Sequence, residues 1–102
     1  MQEIRPTRAV VRILKAFVDH PDRANYGYGL MRETGYSSAK VYQILNRLTG
    51  AGWLERSEAP RSTTEAAGPP RVSYRLHPDA VAASRELITE AQKEFAVSVR
   101  NG

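Results

Sequence analysis

Between Glu33 and Glu55 the chain carries no acidic residue, and inside that interval it sets Ser37, Ser38, Lys40, Tyr42, Gln43, Asn46 and Arg47. Hydroxyls, amides and cations are hydrogen-bond donors, and with no carboxylate among them they suit a polyanion. Cations and hydroxyls would take phosphate oxygens, and amides would take base edges. A plain solvated helix uses the same residue types, so the elements that position them decide how much the pattern means.

Other chemistries lack their residues. The chain has no cysteine, which removes disulfides, thiolate metal sites and a cysteine nucleophile and fits a reducing compartment. His20 and His77 stand alone, and no His-x-x-x-His, paired-carboxylate or nucleophile–base pattern occurs. Gly27 and Gly29 show no preceding strand of the kind a phosphate-cradling loop needs. The expectation is a protein that is not an enzyme and uses no cofactor and no metal.

With 102 residues there is room for one core. Apolar runs are at most four residues long, too short to span a membrane, and no apolar leader follows Met1-Gln2-Glu3, so the expected location is cytoplasmic. Net charge is +4, unevenly placed: residues 1–77 hold 12 basic against seven acidic residues, and residues 78–102 hold three against four. A basic front and a slightly acidic tail imply a polyanion on one side and a protein contact on the other.

The periodicities supply the scaffold. Thr7 after Pro6 is a helix cap, and Val10, Val11, Ile13, Leu14, Phe17 and Val18 make an apolar face that stops at His20-Pro21. A second helix is expected from about Asn25 to Thr34, burying Tyr28, Leu30 and Met31 and ending on Gly35. Its two internal glycines point to close packing or a late start. Ser37 or Ser38 caps a third helix to about Gly50, with Val41, Ile44, Leu45 and Leu48 inward. Residues 53–57 read as a strand, 58–70 as a mobile loop, and 71–76 as a half-buried strand alternating Val72, Tyr74 and Leu76 against Arg71, Ser73 and Arg75. Pro78 opens a last helix to about Val99.

Three helices followed by a hairpin and a final helix is the plan of a winged helix-turn-helix. The predicted fold is therefore mainly α with a small antiparallel β-hairpin: a winged helix-turn-helix unit over 1–77 and a C-terminal dimerisation helix over 78–102. In this plan the second helix of the motif, here 38–50, enters the major groove of double-stranded DNA. Ser37, Ser38, Lys40, Tyr42, Gln43, Asn46 and Arg47 become candidate DNA contacts, with Arg61 reaching a minor groove from the loop. The last helix carries a stripe of Val81, Ser84, Ile88, Ala91, Phe95 and Ser98 with Leu87 beside it. Packed with Leu14 of the first helix, Val81, Leu87, Ile88, Ala91 and Phe95 are expected to form the seam of a homodimer. Burial of the stripe in a monomeric core is the alternative.

Three blocks resemble the PadR family of bacterial transcriptional regulators. Tyr26-Gly27-Tyr28-Gly29-Leu30 is similar to that family's Tyr-Gly-Tyr-Glu-Leu/Ile. Val41-Tyr42-Gln43-Ile44-Leu45-Asn46-Arg47-Leu48 with Gly52-Trp53-Leu54 is similar to its Leu-Tyr-Pro-Ala-Leu-Lys-Arg-Leu and Gly-Leu-Ile. Gly68-Pro69-Pro70-Arg71-Val72-Ser73-Tyr74-Arg75-Leu76 resembles its Gly-Arg-Pro-Arg-Lys-Tyr-Tyr-Arg-Leu wing. The resemblance covers about residues 8–90, and the MarR and ArsR families share the scaffold. It implies a dimeric repressor on an inverted repeat, with Tyr42 on the DNA backbone, Ser38 to Lys40 at the groove and Arg71 on phosphate at the wing. Asn46 and Val72 depart from the pattern by removing basic charge, and Gly29 by removing an acid. The competing reading is a winged helix that binds protein rather than DNA. Neither the residues nor the resemblance identifies a small-molecule or protein effector.

Overall fold

A computed structural model describes residues 1–59 and 71–101, and the side chains of 1–58 and 72–94. In chain order the elements are α1 (Arg8–Val18), β1 (Asn25–Tyr26), α2 (Gly27–Thr34), α3 (Ser38–Gly50), β2 (Leu54–Ala59), β3 (Arg71–Leu76), a 3-10 turn (Pro78–Ala80) and α4 (Val81–Asn101).

Helix α1 begins at the predicted cap, where Thr7 Oγ1 accepts from the Val10 N–H at 3.2 Å. Seven of its eleven residues are buried, and Ile13, Leu14 and Phe17 expose nothing. A helix so apolar needs neighbours on several sides, and α1 packs against α2, α3, α4 and β3. Helix α3 buries the stripe expected of it, Val41, Ile44, Leu45 and Leu48, and is capped by Ser37 Oγ, which accepts from the Lys40 N–H at 3.2 Å.

Helix α2 differs from its prediction. It starts at Gly27 because Asn25 and Tyr26 pair with Tyr74 and Ser73 of β3, making a third strand where only a hairpin was expected. Two residues show no alternation, so this strand left no pattern to read. Gly27 and Leu30 point inward and Met31 is half-buried, but Tyr28 is 67% exposed. Its ring lies on the outer face, where the Arg32 guanidinium sits 5.8 Å from the ring centroid one turn on. Gly35 ends α2 in the left-handed region at φ 78°, donating its N–H to the Met31 carbonyl.

The sheet order is β1-β3-β2, all antiparallel, with Leu54 opposite Leu76 and Ala59 opposite Arg71. Strand β2 therefore runs to Ala59, two residues into the stretch read as loop, and the rest of that loop, with Arg61, lies outside the described residues. Tyr74 and Leu76 face the core as the alternation predicts, and Val72 is half-buried. The last helix opens with the 3-10 turn at Pro78, whose N–H-free nitrogen suits a first helical position. Helix α4 then closes the fold against α1.

Trp53 ties the segment before α1 to the sheet. Its indole N–H donates to the Gln2 carbonyl at 2.6 Å, the Gln2 N–H donates to the Ala51 carbonyl at 2.8 Å, and the Trp53 carbonyl accepts from His77 at 2.9 Å. Ile4 is buried by the same docking. Trp53→Phe keeps a ring but deletes the indole donor. Chemical denaturation should show a loss of about 0.5–1.5 kcal/mol. The amide resonances of Gln2 and Ile4 should move while those of Leu45 and Leu48 stay in place.

Candidate functional site

The α3 residues singled out from the sequence share one surface. Lys40, Tyr42, Gln43, Asn46 and Arg47 are exposed on the side of α3 away from the buried stripe, and Ser37 and Ser38 are exposed at its N-terminal end. At about 100° per residue they fall into three lines along the helix. Gln43 and Asn46, with Ala39, lie furthest from the core. Lys40 and Arg47 lie on the flank toward α1, where with Arg8 and Tyr36 they line a cleft of about 310 Å³ that Gln43 also borders. Tyr42 lies on the opposite flank, toward α2. The amides are thus central and the cations are to one side.

Tyr42 explains the glycine at the start of α2. A Cβ built on Gly27 would overlap the Tyr42 phenol, and Gly27 is buried beneath it. The close packing expected of the two glycines is real at Gly27, whereas a Cβ on Gly29 would meet nothing within 4 Å. A strand does precede Gly27, contrary to expectation, but it has two residues and the phenol fills the space above the glycine. That arrangement is not a phosphate cradle.

On the sheet, the Arg56 guanidinium meets the Glu58 carboxylate at 2.8 Å, and hydrogen bonds to Glu58 and Tyr74 push its pKa above the ordinary arginine value. Its charge is therefore already matched. Arg75 is exposed, opposite Glu55, and the Arg71 backbone pairs with Ala59, while the Arg71 side chain lies outside what is described. Among the described residues no group of three or more His, Asp or Glu side chains is placed to hold a metal ion, and no helix is long and apolar enough to cross a membrane.

The residues expected at a seam between subunits are divided. Leu14, Ile88 and Ala91 are buried by the chain's own core, because α4 packs on α1 of the same subunit. Val81 and Leu87 are half-buried, and the Phe95 side chain lies outside the described residues. Arg8 and Tyr36 were missed in the sequence. Arg8 follows a cap residue on a helix whose periodicity reports only its core face, and only the α1–α3 packing brings it beside Lys40 and Arg47.

No family model and no curated protein matches the chain. Solved structures do match. The chain superposes along 100% of its length on a mutant of Lactococcus lactis ZitR, with TM-score 0.65 and 19% identity, and spans 64% of that chain. A PadR-like transcriptional regulator from Bacillus cereus strain ATCC 14579 matches 90% of this chain and 87% of its own, with TM-score 0.63 and 19% identity. The chain has the winged-helix fold. Wild-type ZitR in complex with DNA also matches, at TM-score 0.61 and 18% identity, over 97% of this winged helix and 62% of that chain.

The geometry yields a test within the winged helix itself. Gly27→Ala should leave the domain folded, since Gly27 stands at the first position of α2 and the atoms its Cβ would meet are the far end of one exposed side chain. The flexible Tyr42 ring must move instead. Its ring resonances should shift toward those of a solvent-exposed tyrosine, and the amides of Val41 and Leu45 should not follow.

Proposed function

We propose that the chain is a PadR-like transcriptional regulator that binds double-stranded DNA in a sequence-specific way, with α3 in the major groove and the β2–β3 wing on the backbone. The observation that carries this reading is the exposed, acid-free α3 surface, with amides along its centre and cations on its flank. An asparagine or glutamine amide can engage an adenine edge in the major groove through two hydrogen bonds, and cations and hydroxyls hold the flanking phosphates. Among the similar folds, ZitR is known with DNA bound, and the Bacillus cereus protein is named a PadR-like regulator. The three sequence blocks shared with the PadR family point the same way.

The functional unit in this reading is a homodimeric repressor on an inverted repeat. Two-fold symmetry would set the two α3 helices about one DNA turn apart, ~34 Å. Leu14, Ile88 and Ala91 would support α4 from inside the subunit, leaving Val81, Leu87 and the helix beyond, with Phe95, to meet the second copy. Arg61 and Arg71 would add phosphate or minor-groove contacts at the wing. The location that fits this role is the cytoplasm.

Fluorescence anisotropy with a preferred and a scrambled duplex tests the assignment. Gln43→Ala and Asn46→Ala should each weaken the preferred duplex by about 1–3 kcal/mol and leave the scrambled one nearly unchanged. Lys40→Ala should weaken both alike and lower the magnitude of the salt slope by about 0.9 per subunit. Equal binding of both duplexes by all three variants and the parent, from 50 to 200 mM salt, contradicts the assignment.

A further inference from the structure

A second cleft, of about 560 Å³, opens between β1 and α2, and no residue of α3 lines it. Arg23 reaches it from the turn before β1, and Arg32 from the last turn of α2. Both are exposed, and neither forms an ion pair among the described residues. The Arg32 guanidinium lies over the Tyr28 ring, and Arg23 gives one N–H to Asn25 Oδ1 at 3.3 Å. A guanidinium has five N–H donors, so each arginine keeps donors to spare. Glu33 is the one acid among the seven lining residues, and it also borders the adjoining hollow where Arg12 and Lys15 lie.

Two residues of this cleft are not explained by the fold. Asn25 is 8% exposed, and its Nδ2 is buried without a hydrogen-bond partner. A buried amide donor with no acceptor costs free energy that an apolar residue at the same strand position would avoid. Gly29 is the other. Glycine is a poor helix former, yet Gly29 lies outside the left-handed region and a Cβ there would meet nothing within 4 Å. Neither its backbone nor crowding requires a glycine, and its effect is to leave one wall of the cleft bare. Two guanidiniums, an unpartnered amide donor and a bare wall at one opening share a single need, an acceptor that carries negative charge. We infer that the β1–α2 cleft binds a small oxyanionic ligand, whose carboxylate or phosphate group is held by Arg23, Arg32 and the Asn25 amide. An anion that draws Arg23 off Oδ1 frees that amide to turn its N–H toward the ligand. The site stands apart from the α3 surface and does not rest on the DNA reading.

The test is an NMR titration of the whole chain with inorganic phosphate and, separately, with acetate, at ionic strength held constant by sodium chloride. Saturating shifts are expected at the backbone amides of Arg23, Tyr26 and Gly29 and at the side-chain amide of Asn25. A response to only one anion names the group that the site takes. Arg32→Gln should weaken the apparent affinity roughly three- to tenfold. Gly29→Ala, which adds no charge, should keep the affinity, and Gly29→Glu, which sets a carboxylate on the wall, should abolish it. Arg32 and Gly29 are exposed, and unmoved amide resonances at Leu45 and Ala91 verify that the variants fold. Shifts that stay linear with both anions, or that saturate alike in the parent, Arg32→Gln and Gly29→Glu, overturn the site. Saturation confined to Lys40 and Arg47 does the same. No response to either free anion, with a duplex salt slope that Arg32→Gln lowers, gives the cleft to the DNA backbone and overturns the small ligand. Saturation in a folded chain that binds no duplex upholds the site and contradicts only the DNA assignment.

Discussion

The structure depends on the burial of α1 from several sides at once. A helix can press its polar face into a groove only if its other face is held against something that does not yield. Here Val41, Ile44, Leu45 and Leu48 rest in a core whose centre is Ile13, Leu14 and Phe17. α2, β3 and α4 also pack on α1, and Leu30, Leu76, Ile88 and Ala91 from them belong to the same buried cluster. One apolar cylinder thus sets the angle of the helix pair, the root of the wing and the start of the long last helix. In a chain of 102 residues, which has little interior to spare, this sharing is what makes a single core sufficient.

Much of this was legible in the sequence because it follows from periodicity and caps. Thr7, Ser37 and Gly35 mark helix ends by local chemistry, and their roles do not depend on the rest of the chain. The α3 stripe and the alternation of Val72, Tyr74 and Leu76 report one-sided burial directly. What was not legible depends on tertiary contact. Asn25 and Tyr26 become a strand only because β3 offers them a partner. Tyr28 faces outward because α2 starts at Gly27 and its inward positions are Gly27 and Leu30. The stripe on α4 announces that it must be covered and says nothing about by what. The first half of the answer is the chain's own α1.

The candidate site shows the same division. The residue types of α3 and their exposure were readable, since helical geometry alone places them opposite the buried stripe. The sorting into central amides, a cationic flank and an aromatic flank was not, because it is defined by the neighbours. Arg8 and Tyr36, with the buried Val10 and Ile44, make one flank, and Gly27 makes the other. This arrangement has a physical logic for a polyanion. Charge on the flank attracts and orients, and neutral donors at the centre discriminate without the strong nonspecific pull of a cation.

The central claim is that this surface reads DNA sequence. The most direct measurement is to select bound fragments from a genomic DNA library at roughly physiological salt, using protein whose folding has been verified, and to sequence what is retained. The account predicts enrichment of an inverted repeat whose half-sites are about one helical turn apart, with A·T pairs at the positions facing Gln43 and Asn46. Retained DNA with no enriched sequence, or no retained DNA at all, would contradict it.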